Sequence, residues 1–368
     1  MIASSRATRL LVRQAGCADL HNVHAVTQAA FAEQRGRIHD QAHVFRESLD
    51  ELCEQLEAGW IFLLAEIEGM TVGVIRLTRR EGELYVGRLA VVPAHRRKGI
   101  GRALMAAAEA WGRAWGLSTA RLGVREELPE NRAYYESLGY CAVERLETRS
   151  APGRYFYVMR KKLATPSAQP TPTAETIATY ERYAARYARR TPYTWAGLAL
   201  SRFAEHIPPP ALVGAMGCGP GRELLLLLEQ GYQLYGIDRT RAMLRMARAT
   251  DAPLIGADLR SLPLTTAALD GVWASASLLH LPCLEIAIAL YELRRVTRSG
   301  GGLMLTLKMG GGEEWRQTED GPRFFAFYQP GEVRRLLAGA GFEVVYQWVN
   351  EPPPGQRDTW IATIARVV

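Results

Sequence analysis

The stretch at residues 84–111 constrains the fold most, because an apolar run passes there through a basic turn into a helical pattern. Residues 89–92 are predicted to form a buried strand, which Pro93 ends because proline has no N–H to give to a neighbouring strand. Residues 103–111 have helical spacing. The free N–H groups and the dipole of such a helix form a site for an anion such as a diphosphate, although a basic turn that caps a surface helix is the alternative. The turn supplies Arg96, Arg97, Lys98, Gly99, Gly101 and Arg102.

The composition describes a globular protein of two domains. A chain of 368 residues exceeds one ordinary core, and 48% hydrophobic with 23% charged residues is the usual balance for a soluble protein. No apolar run approaches membrane-spanning length, and the first residues lack the apolar core of a signal peptide. Five scattered cysteines without a C-x-x-C pair argue against disulfides and zinc. We therefore expect a cytoplasmic protein with no membrane contact and no metal.

The net charge of +7 is mild, and its densest basic cluster is the turn at residues 96–102. A polyanionic cofactor accounts for that cluster, so the charge does not predict nucleic-acid binding. The partners expected from the sequence are small molecules.

A proline- and threonine-rich segment at residues 164–173 divides the chain. It carries no charge and is predicted to be a stiff, solvated linker between domains at residues 1–163 and 174–368. The first domain is predicted to combine strands, including a hairpin through Glu68-Gly69, with a few helices. In the second, apolar strands alternate with helical segments, which predicts parallel strands with helices on both faces.

A second motif in the first domain is Asn-Arg-Ala-Tyr-Tyr-Glu-Ser-Leu-Gly-Tyr at residues 131–140, predicted to contain a short helix. Together with Arg96-x-x-Gly99-x-Gly101 after the apolar strand, it resembles the GNAT N-acetyltransferases over about residues 8–163. The resemblance implies a mixed, mostly antiparallel sheet flanked by helices. It also implies acetyl-coenzyme A as the donor of an acetyl group to an amine.

The resemblance assigns roles to individual residues. The central strand splays from its neighbour in this family, so the pantetheine arm pairs with its free backbone, here that of Leu89, Ala90 and Val91. Tyr135, in the Tyr-x-x-x-Gly register, corresponds to the tyrosine that protonates the departing thiolate, and packing against the cofactor is the alternative. Asn131 would cap its helix or contact coenzyme A. No general base is identified, but three carboxylates lie near the expected acceptor cleft: Glu33, Glu81 and Glu83.

Three motifs in the second domain follow successive predicted strands. The motif Gly217-x-Gly219-x-Gly221 comes first, Asp238 ends the next strand, and Asp258 ends the third. The set resembles class I S-adenosylmethionine-dependent methyltransferases over residues 174–368, which implies a Rossmann-like, seven-stranded fold. The carboxylate of Asp238 would accept the ribose hydroxyls, and that of Asp258 the adenine amino group. Helix capping is the alternative for both.

The chain departs from that family at Ala215, where an acidic residue usually stands two before the first glycine and helps to hold the methionine end. Backbone groups, Tyr187 or Arg222 would have to take over that role, or the domain has lost activity. The Asn/Asp-Pro-Pro-Tyr motif, usual in relatives that methylate base amines or glutamine amides, is also absent, which disfavours those substrates.

Two further residues of the second domain are candidates for the acceptor site. His280 is either a base for oxygen methylation or a histidine satisfied by the fold. Lys308 is predicted at the carboxyl end of a strand, where ligands bind in α/β sheets. The segment that follows, up to Tyr328, is either a lid over the acceptor or a surface loop.

The sequence therefore predicts a bifunctional transferase with small-molecule acceptors, using acetyl-coenzyme A and S-adenosylmethionine. Two alternatives remain open. In one, the first domain binds acyl-coenzyme A as a sensor that regulates the second. In the other, the second domain is a degenerate methyltransferase used for docking. The motifs make no prediction of the oligomeric state.

Overall fold

The computed structural model describes residues 9–38, 43–149, 151–163, 171–190, 196–352 and 358–368. The fold divides into two compact units, Met1–Thr165 and Pro166–Val368. Most of the predicted linker, residues 164–170, lies outside the described residues. Its last two residues are helical, because the helix predicted from Ala174 begins at Pro172, and proline is tolerated in a first helical turn. No helix in the described ranges is long and apolar enough to span a membrane.

The first unit is a seven-stranded sheet with four α-helices. The strands are β1 (Leu10–Gln14), β2 (Ile61–Ile67), β3 (Met70–Arg80), β4 (Glu83–Val91), β5 (Thr119–Arg125), β6 (Cys141–Glu147) and β7 (Tyr155–Lys162). The helices are α1 (Leu20–Phe31), α2 (Leu49–Glu57), α3 (Ile100–Ala114) and α4 (Pro129–Ser137). The sheet order is β1-β2-β3-β4-β5-β7-β6, antiparallel except between β4 and β5. The mixed, mostly antiparallel sheet predicted from the sequence is thereby confirmed.

Strands β4 and β5 part after two residue pairs, Leu84 with Ala120 and Tyr85 with Arg121. The register of β4 against β3 then shifts at a bulge that contains Arg88, whose φ of 53° lies in the left-handed region. A bulge bends and twists the strand that carries it. The backbone of residues 89–91 therefore faces a gap on the β5 side, which confirms the splay that the family resemblance implies.

A buried ion pair supports the sheet beside that gap. The Arg76 guanidinium in β3 donates to both carboxylate oxygens of Glu47, at 2.7 and 2.6 Å, and both side chains are about 1% exposed. Burial alone would raise the pKa of the Glu47 carboxyl, but the Arg76 guanidinium holds it below its ordinary value. Glu47 is therefore committed to Arg76, and its other cationic neighbour, Arg88, lies 3.8 Å away.

The second unit is built on a nine-stranded sheet. Its strands are β8 (Leu212–Met216), β9 (Gln233–Asp238), β10 (Leu254–Gly256), β11 (Leu269–Ala274), β12 (Thr297–Met309), β13 (Gly312–Thr318), β14 (Gly321–Tyr328), β15 (Phe342–Asn350) and β16 (Trp360–Val367). Its helices are α5 (Pro172–Arg190), α6 (Ala196–His206), α7 (Arg222–Glu229), α8 (Arg241–Ala247), α9 (Ile286–Val296) and α10 (Pro330–Gly339). Seven strands follow the order β10-β9-β8-β11-β12-β16-β15, parallel up to β12 and antiparallel beyond it. These form the Rossmann-like sheet predicted from the sequence.

The remaining two strands lie where a lid or a surface loop was predicted. Strands β13 and β14 form an antiparallel hairpin, and the end of β14 pairs in parallel with Lys308 and Met309 of β12. The aromatic residues of β14, including Phe324 and Phe327, are buried. The segment is therefore an ordered extension of the sheet rather than a surface loop, because its apolar run is covered by the fold.

Candidate functional sites

The first unit has a cavity of about 670 Å³ in the gap between β4 and β5, a size typical of ligand sites. The predicted coenzyme A residues are almost all in its wall. Those that line it are Leu89, Ala90, Val91, Arg96, Arg97, Gly99, Gly101, Arg102, Asn131 and Tyr135. Lys98 is the exception, since it is absent from the described wall of the cavity. The fold thus brings the strand, the turn and helix α4 to one place.

The turn before α3 has the backbone geometry of an anion site. Gly99 is the N-cap of α3 with a φ of 80°, a left-handed conformation that glycine adopts without strain. A Cβ at Gly101 would lie 2.8 Å from the Tyr134 hydroxyl, so a side chain there would displace that tyrosine. No side chain caps the helix, and its first N–H groups remain for a ligand at the cavity wall.

Arg96 is held by the fold. Its guanidinium donates to the carbonyl oxygens of Val91 at 3.1 Å and Ala30 at 2.8 Å, and it pairs with Glu33 at 2.5 Å. These contacts tie the turn to β4 and to the end of α1. Arg96 therefore orients the turn, whereas Arg97 and Arg102 line the cavity and form no ion pair within the described part of the chain.

Helix α4 contributes an asparagine and two tyrosines. The capping prediction for Asn131 was wrong, because the helix begins at Pro129 with Leu128 as N-cap, and Asn131 lies in the first turn at the cavity wall. Tyr134 and Tyr135 both line the cavity, with their ring centres 5.2 Å apart. Burial raises the pKa of the Tyr135 phenol, and Tyr134 acts in the same direction. The Tyr135 hydroxyl is therefore protonated at neutral pH and can donate its proton.

The three candidate carboxylates are dispersed. Glu33 lines the cavity but pairs with Arg96, while Glu83 pairs with Arg160 at 2.9 Å. Glu81 lines a second cavity, of about 590 Å³. Two residues of β5 line both cavities, Gly123 and Arg125. The gap between the splayed strands can therefore be reached from two sides.

Two arginines at this gap lack a carboxylate of their own, and sequence reasoning missed both. Arg125 donates to the Thr148 hydroxyl at 3.0 Å and forms no ion pair within the described residues. The Nε of Arg88 is buried without a hydrogen-bond partner, beside a Glu47 carboxylate that Arg76 already occupies. Burial lowers the pKa of both guanidinium groups. Arg125 is the last residue of β5 and Arg88 lies in the bulge of β4, and the sequence pattern marked neither position.

The second unit has a cavity of about 280 Å³ beside the carboxyl ends of its central strands. The predicted residues that line it are Tyr187, Gly217, Gly219, Asp238, Asp258 and His280. Gly221 is absent from the described wall of this cavity. A Cβ at Gly221 would lie 2.7 Å from Thr250, so this glycine lets α7 pack against the chain after α8. Gly219 faces open space, since a Cβ there would meet no described protein atom within 4 Å.

The two aspartates of this cavity differ in their partners. Asp238 accepts the backbone N–H groups of Gly219 at 2.9 Å and Thr240 at 2.7 Å, and burial raises its pKa. Each carboxylate oxygen keeps a second lone pair for a ribose hydroxyl. Asp258 accepts hydrogen bonds from Arg239 and Arg260, with Oδ2 at 2.5 and 2.6 Å from them. An adenine amino group at Asp258 would have to share that carboxylate with two arginines.

His280 is in a defined tautomer. Its Nδ1 lies 2.7 Å from the Phe324 carbonyl oxygen, which can only accept, so Nδ1 carries the proton. Its Nε2 then accepts from the Tyr180 hydroxyl at 2.9 Å, and Arg323 donates to the same hydroxyl at 3.0 Å. Burial lowers the pKa of His280 to about 3, with the positive charge of Arg323 acting in the same direction. The imidazole is neutral at pH 7 and both its nitrogens are engaged.

Lys308 lies away from the described wall of this cavity. Its Nζ bonds to Asp358 Oδ2 at 2.6 Å and lies 3.9 Å from the centre of the Phe325 ring. Burial lowers the pKa of the amine, and Asp358 opposes that change. In this position Lys308 holds the start of the last strand against the hairpin.

Glu223 and Tyr180 line the cavity although the sequence analysis did not select them. Glu223 follows the glycine motif by two residues, and this proximity was the available indication. Tyr180 precedes Tyr183 and Tyr187 at helical spacing, a pattern that by itself does not indicate a ligand site. No group of three or more potential metal ligands occurs within the described ranges.

Two family models match the chain. The model described as the acetyltransferase (GNAT) family matches residues 24–140, and a methyltransferase domain model matches residues 215–305. The chain joins a GNAT acetyltransferase domain to an S-adenosylmethionine-dependent methyltransferase domain. The GNAT match contains the basic turn and Tyr135, and the methyltransferase match contains the glycine motif, Asp238 and Asp258.

Individual proteins resemble parts of this two-domain chain. It is 31% identical over 137 residues to a malonyl-[acyl-carrier protein] O-methyltransferase of Serratia marcescens, covering 35% of the chain and 52% of that protein. A protein of the same description from Herminiimonas arsenicoxydans is 32% identical over 164 residues, 41% of the chain and 62% of that protein. The chain thus spans about half to three fifths of these relatives. A solved N-acetyltransferase of Thermoplasma acidophilum in complex with coenzyme A is 21% identical, covering 42% of the chain and 99% of that structure with a TM-score of 0.37.

Alanine substitutions at Gly219 and Gly217 should separate the effect on cofactor binding from the effect on the stability of the methyltransferase domain. Gly219→Ala should weaken the binding of S-adenosylhomocysteine at a stability cost of only about 1 kcal/mol, because its Cβ points into the cavity. Gly217→Ala should destabilise the domain by about 2 kcal/mol or more, because its Cβ would lie 2.4 Å from that of Ser277. Calorimetric titration and thermal unfolding measure the two effects. An unchanged affinity in Gly219→Ala would contradict a cofactor at this turn.

Proposed function

We propose that the first domain transfers an acetyl group from acetyl-coenzyme A to an amine, and that the second transfers a methyl group from S-adenosylmethionine to an oxygen atom of a small molecule. The observation that carries the proposal is the pair of cavities, each walled by a strand-to-helix corner with free N–H groups. A basic turn lines the first, which suits a diphosphate. Acidic side chains line the second, which suits ribose hydroxyls and a cationic cofactor.

The order of groups along the gap supports acetyl transfer. The turn at Gly99 lies just beyond the carboxyl end of β4, and the backbone of residues 89–91 leads away from it towards Arg88. Acetyl-coenzyme A with its diphosphate at the turn would therefore extend its thioester towards Arg88. Tyr135, a neutral phenol in the same cavity, would protonate the departing thiolate, whose own pKa of ~8.5 requires only a weak acid.

The amine acceptor is proposed to carry an anionic group such as a carboxylate. Arg88 and Arg125 lie at the end of the gap that the thioester would reach. Arg125 forms no ion pair among the described residues, and Arg88 shares Glu47, 3.8 Å away, with the closer Arg76. Burying a cation without a partner is unfavourable, and a carboxylate between the two guanidinium groups would relieve that cost. The second cavity, which shares Arg125, gives such an acceptor a route separate from that of coenzyme A.

The methyl acceptor is proposed to be a carboxylate oxygen. S-adenosylmethionine supplies an electrophilic methyl group when bound. His280, with Nε2 engaged by Tyr180 and a pKa lowered to about 3, is a poor base for a hydroxyl acceptor. A carboxylate is ionised at neutral pH and needs no base. The relatives described as malonyl-[acyl-carrier protein] O-methyltransferases support oxygen as the accepting atom.

Amines with a carboxylate should be better acetyl acceptors than matched neutral amines. Such a pair is 4-aminobutyrate and butylamine. Measured by coenzyme A release, kcat/KM should be about 10- to 100-fold higher for the amine with the carboxylate, because one charge-assisted hydrogen bond contributes a free energy of that size. Arg125→Gln should remove the preference, whereas Arg145→Gln, at an exposed pair with Glu126, should keep it. Equal rates within pairs would exclude the anionic acceptor, and no release with any amine would favour the sensor alternative.

Tyr135→Phe should lower kcat for acetyl transfer by about 100-fold while the KM for acetyl-coenzyme A changes little, because only the proton donor is lost. Tyr134→Phe is the matched control, since its ring lies next to Tyr135 on the same helix. Steady-state assays of coenzyme A release measure both. A Tyr135→Phe enzyme with the kcat of the wild type would assign this residue to packing alone.

Methylation of a carboxylate should have a rate that is independent of pH between pH 6 and pH 8. The acceptor is ionised over this range, and His280, with its pKa lowered to about 3, stays neutral throughout. Transfer of a labelled methyl group to a panel of carboxylates, measured as base-labile ester, tests this. A rate that rises about tenfold per pH unit would indicate an ionising hydroxyl acceptor instead. If S-adenosylmethionine produces no heat or thermal shift, the docking alternative is favoured.

A further inference from the structure

The methyltransferase cavity contains a carboxylate that forms no ion pair among the described residues. Glu223 lies in the first turn of α7, and its side chain lines the cavity. Within the described residues, no arginine, lysine or histidine nitrogen forms an ion pair with it. Its chain neighbour Arg222 lies close enough to favour the charged form of Glu223, but the Arg222 guanidinium donates its hydrogen bonds to the carbonyl oxygens of Tyr187 and Ala188.

The other two acids of the cavity are already satisfied by the protein. Asp258 is paired with Arg239 and Arg260, and Asp238 accepts two backbone N–H groups. For Glu223, burial raises the pKa of the carboxyl group, while Ser275 and Arg222 act in the opposite direction. A charged group in this state is stabilised when a ligand brings the opposite charge.

The position of Glu223 also relates to Ala215, the residue at which the chain departs from the usual glycine motif. Ala215, which stands where an acid is usual, pairs in register with Trp273 across β8 and β11. The carboxyl group of Glu223 approaches the end of the same strand β11, because Ser275, just beyond that strand, is among the groups that act on its pKa. A carboxylate from α7 thus approaches the place at which β8 carries only a methyl group.

We propose that Glu223 binds the α-ammonium group of the methionine part of S-adenosylmethionine, in place of an acid at position 215. The inference rests on the proposed methyltransferase function. With Glu223 in this role, helix α7 supplies the carboxylate that is missing at position 215. The alanine at position 215 therefore does not imply a degenerate domain. In the alternative, Glu223 only stabilises α7 through the helix dipole and contacts no part of the ligand.

Two ligands that differ in the amino-acid part test this assignment. S-adenosylhomocysteine carries the ammonium group, whereas 5′-methylthioadenosine shares the adenosine and the sulfur but lacks it. In Glu223→Gln, the dissociation constant of S-adenosylhomocysteine should rise about 10- to 100-fold, while that of 5′-methylthioadenosine should stay unchanged. Glu229→Gln, at an exposed position of the same helix, is the matched control and should change neither.

Calorimetric titration of the full chain distinguishes the outcomes. Retained binding of 5′-methylthioadenosine shows that Glu223→Gln has folded with an intact nucleoside site. Addition of Ala215→Asp to Glu223→Gln should then recover affinity for S-adenosylhomocysteine only. Equal losses for both ligands, or no loss for either, would overturn the assignment of Glu223 while leaving the methyltransferase proposal in place. Failure of the wild type to bind S-adenosylhomocysteine would overturn both.

Discussion

Both domains depend on the corner at which a buried strand passes into a helix whose first N–H groups are left free. Gly99 and Gly221 are the N-caps of α3 and α7, with φ values of 80° and 92°, and neither helix has a side-chain cap. Helix α2 shows the contrast, because Ser48 and Glu51 there form a capping box that satisfies the donors within the protein. The capping box closes the start of α2, whereas the starts of α3 and α7 leave their first N–H groups open to a ligand.

The distribution of buried charge separates structural from ligand-binding groups. Arg76 and Glu47 neutralise each other in the first domain, as Asp258 does with its two arginines in the second. Arg125 and Glu223 line the cavities and form no ion pair among the described residues. An uncompensated charge in a cavity wall reduces stability, so its presence is best explained by a ligand group of opposite sign.

The strand-turn-helix corners were predictable from the sequence because each is encoded by neighbouring residues. An apolar run followed by glycine and then by helical spacing leaves little choice of local structure. The same local patterns misplaced other residues. Asn131 is an ordinary N-cap residue by type, yet the helix begins earlier, at Pro129. Lys308 was correctly placed near the end of a strand, but its amine turns to Asp358, fifty residues later in the chain.

The sequence by itself determined the two domains, their sheet types and the strand-to-helix corners at the two cavities, because hydrophobic period, glycine spacing and helix starts act over a few residues. The tertiary structure decided which charged groups meet. The bulge at Arg88, the tautomer of His280 and the isolation of Glu223 each depend on segments that are distant in the chain. Burial turns such encounters into differences in pKa and in binding, and only the folded chain defines which groups are buried together.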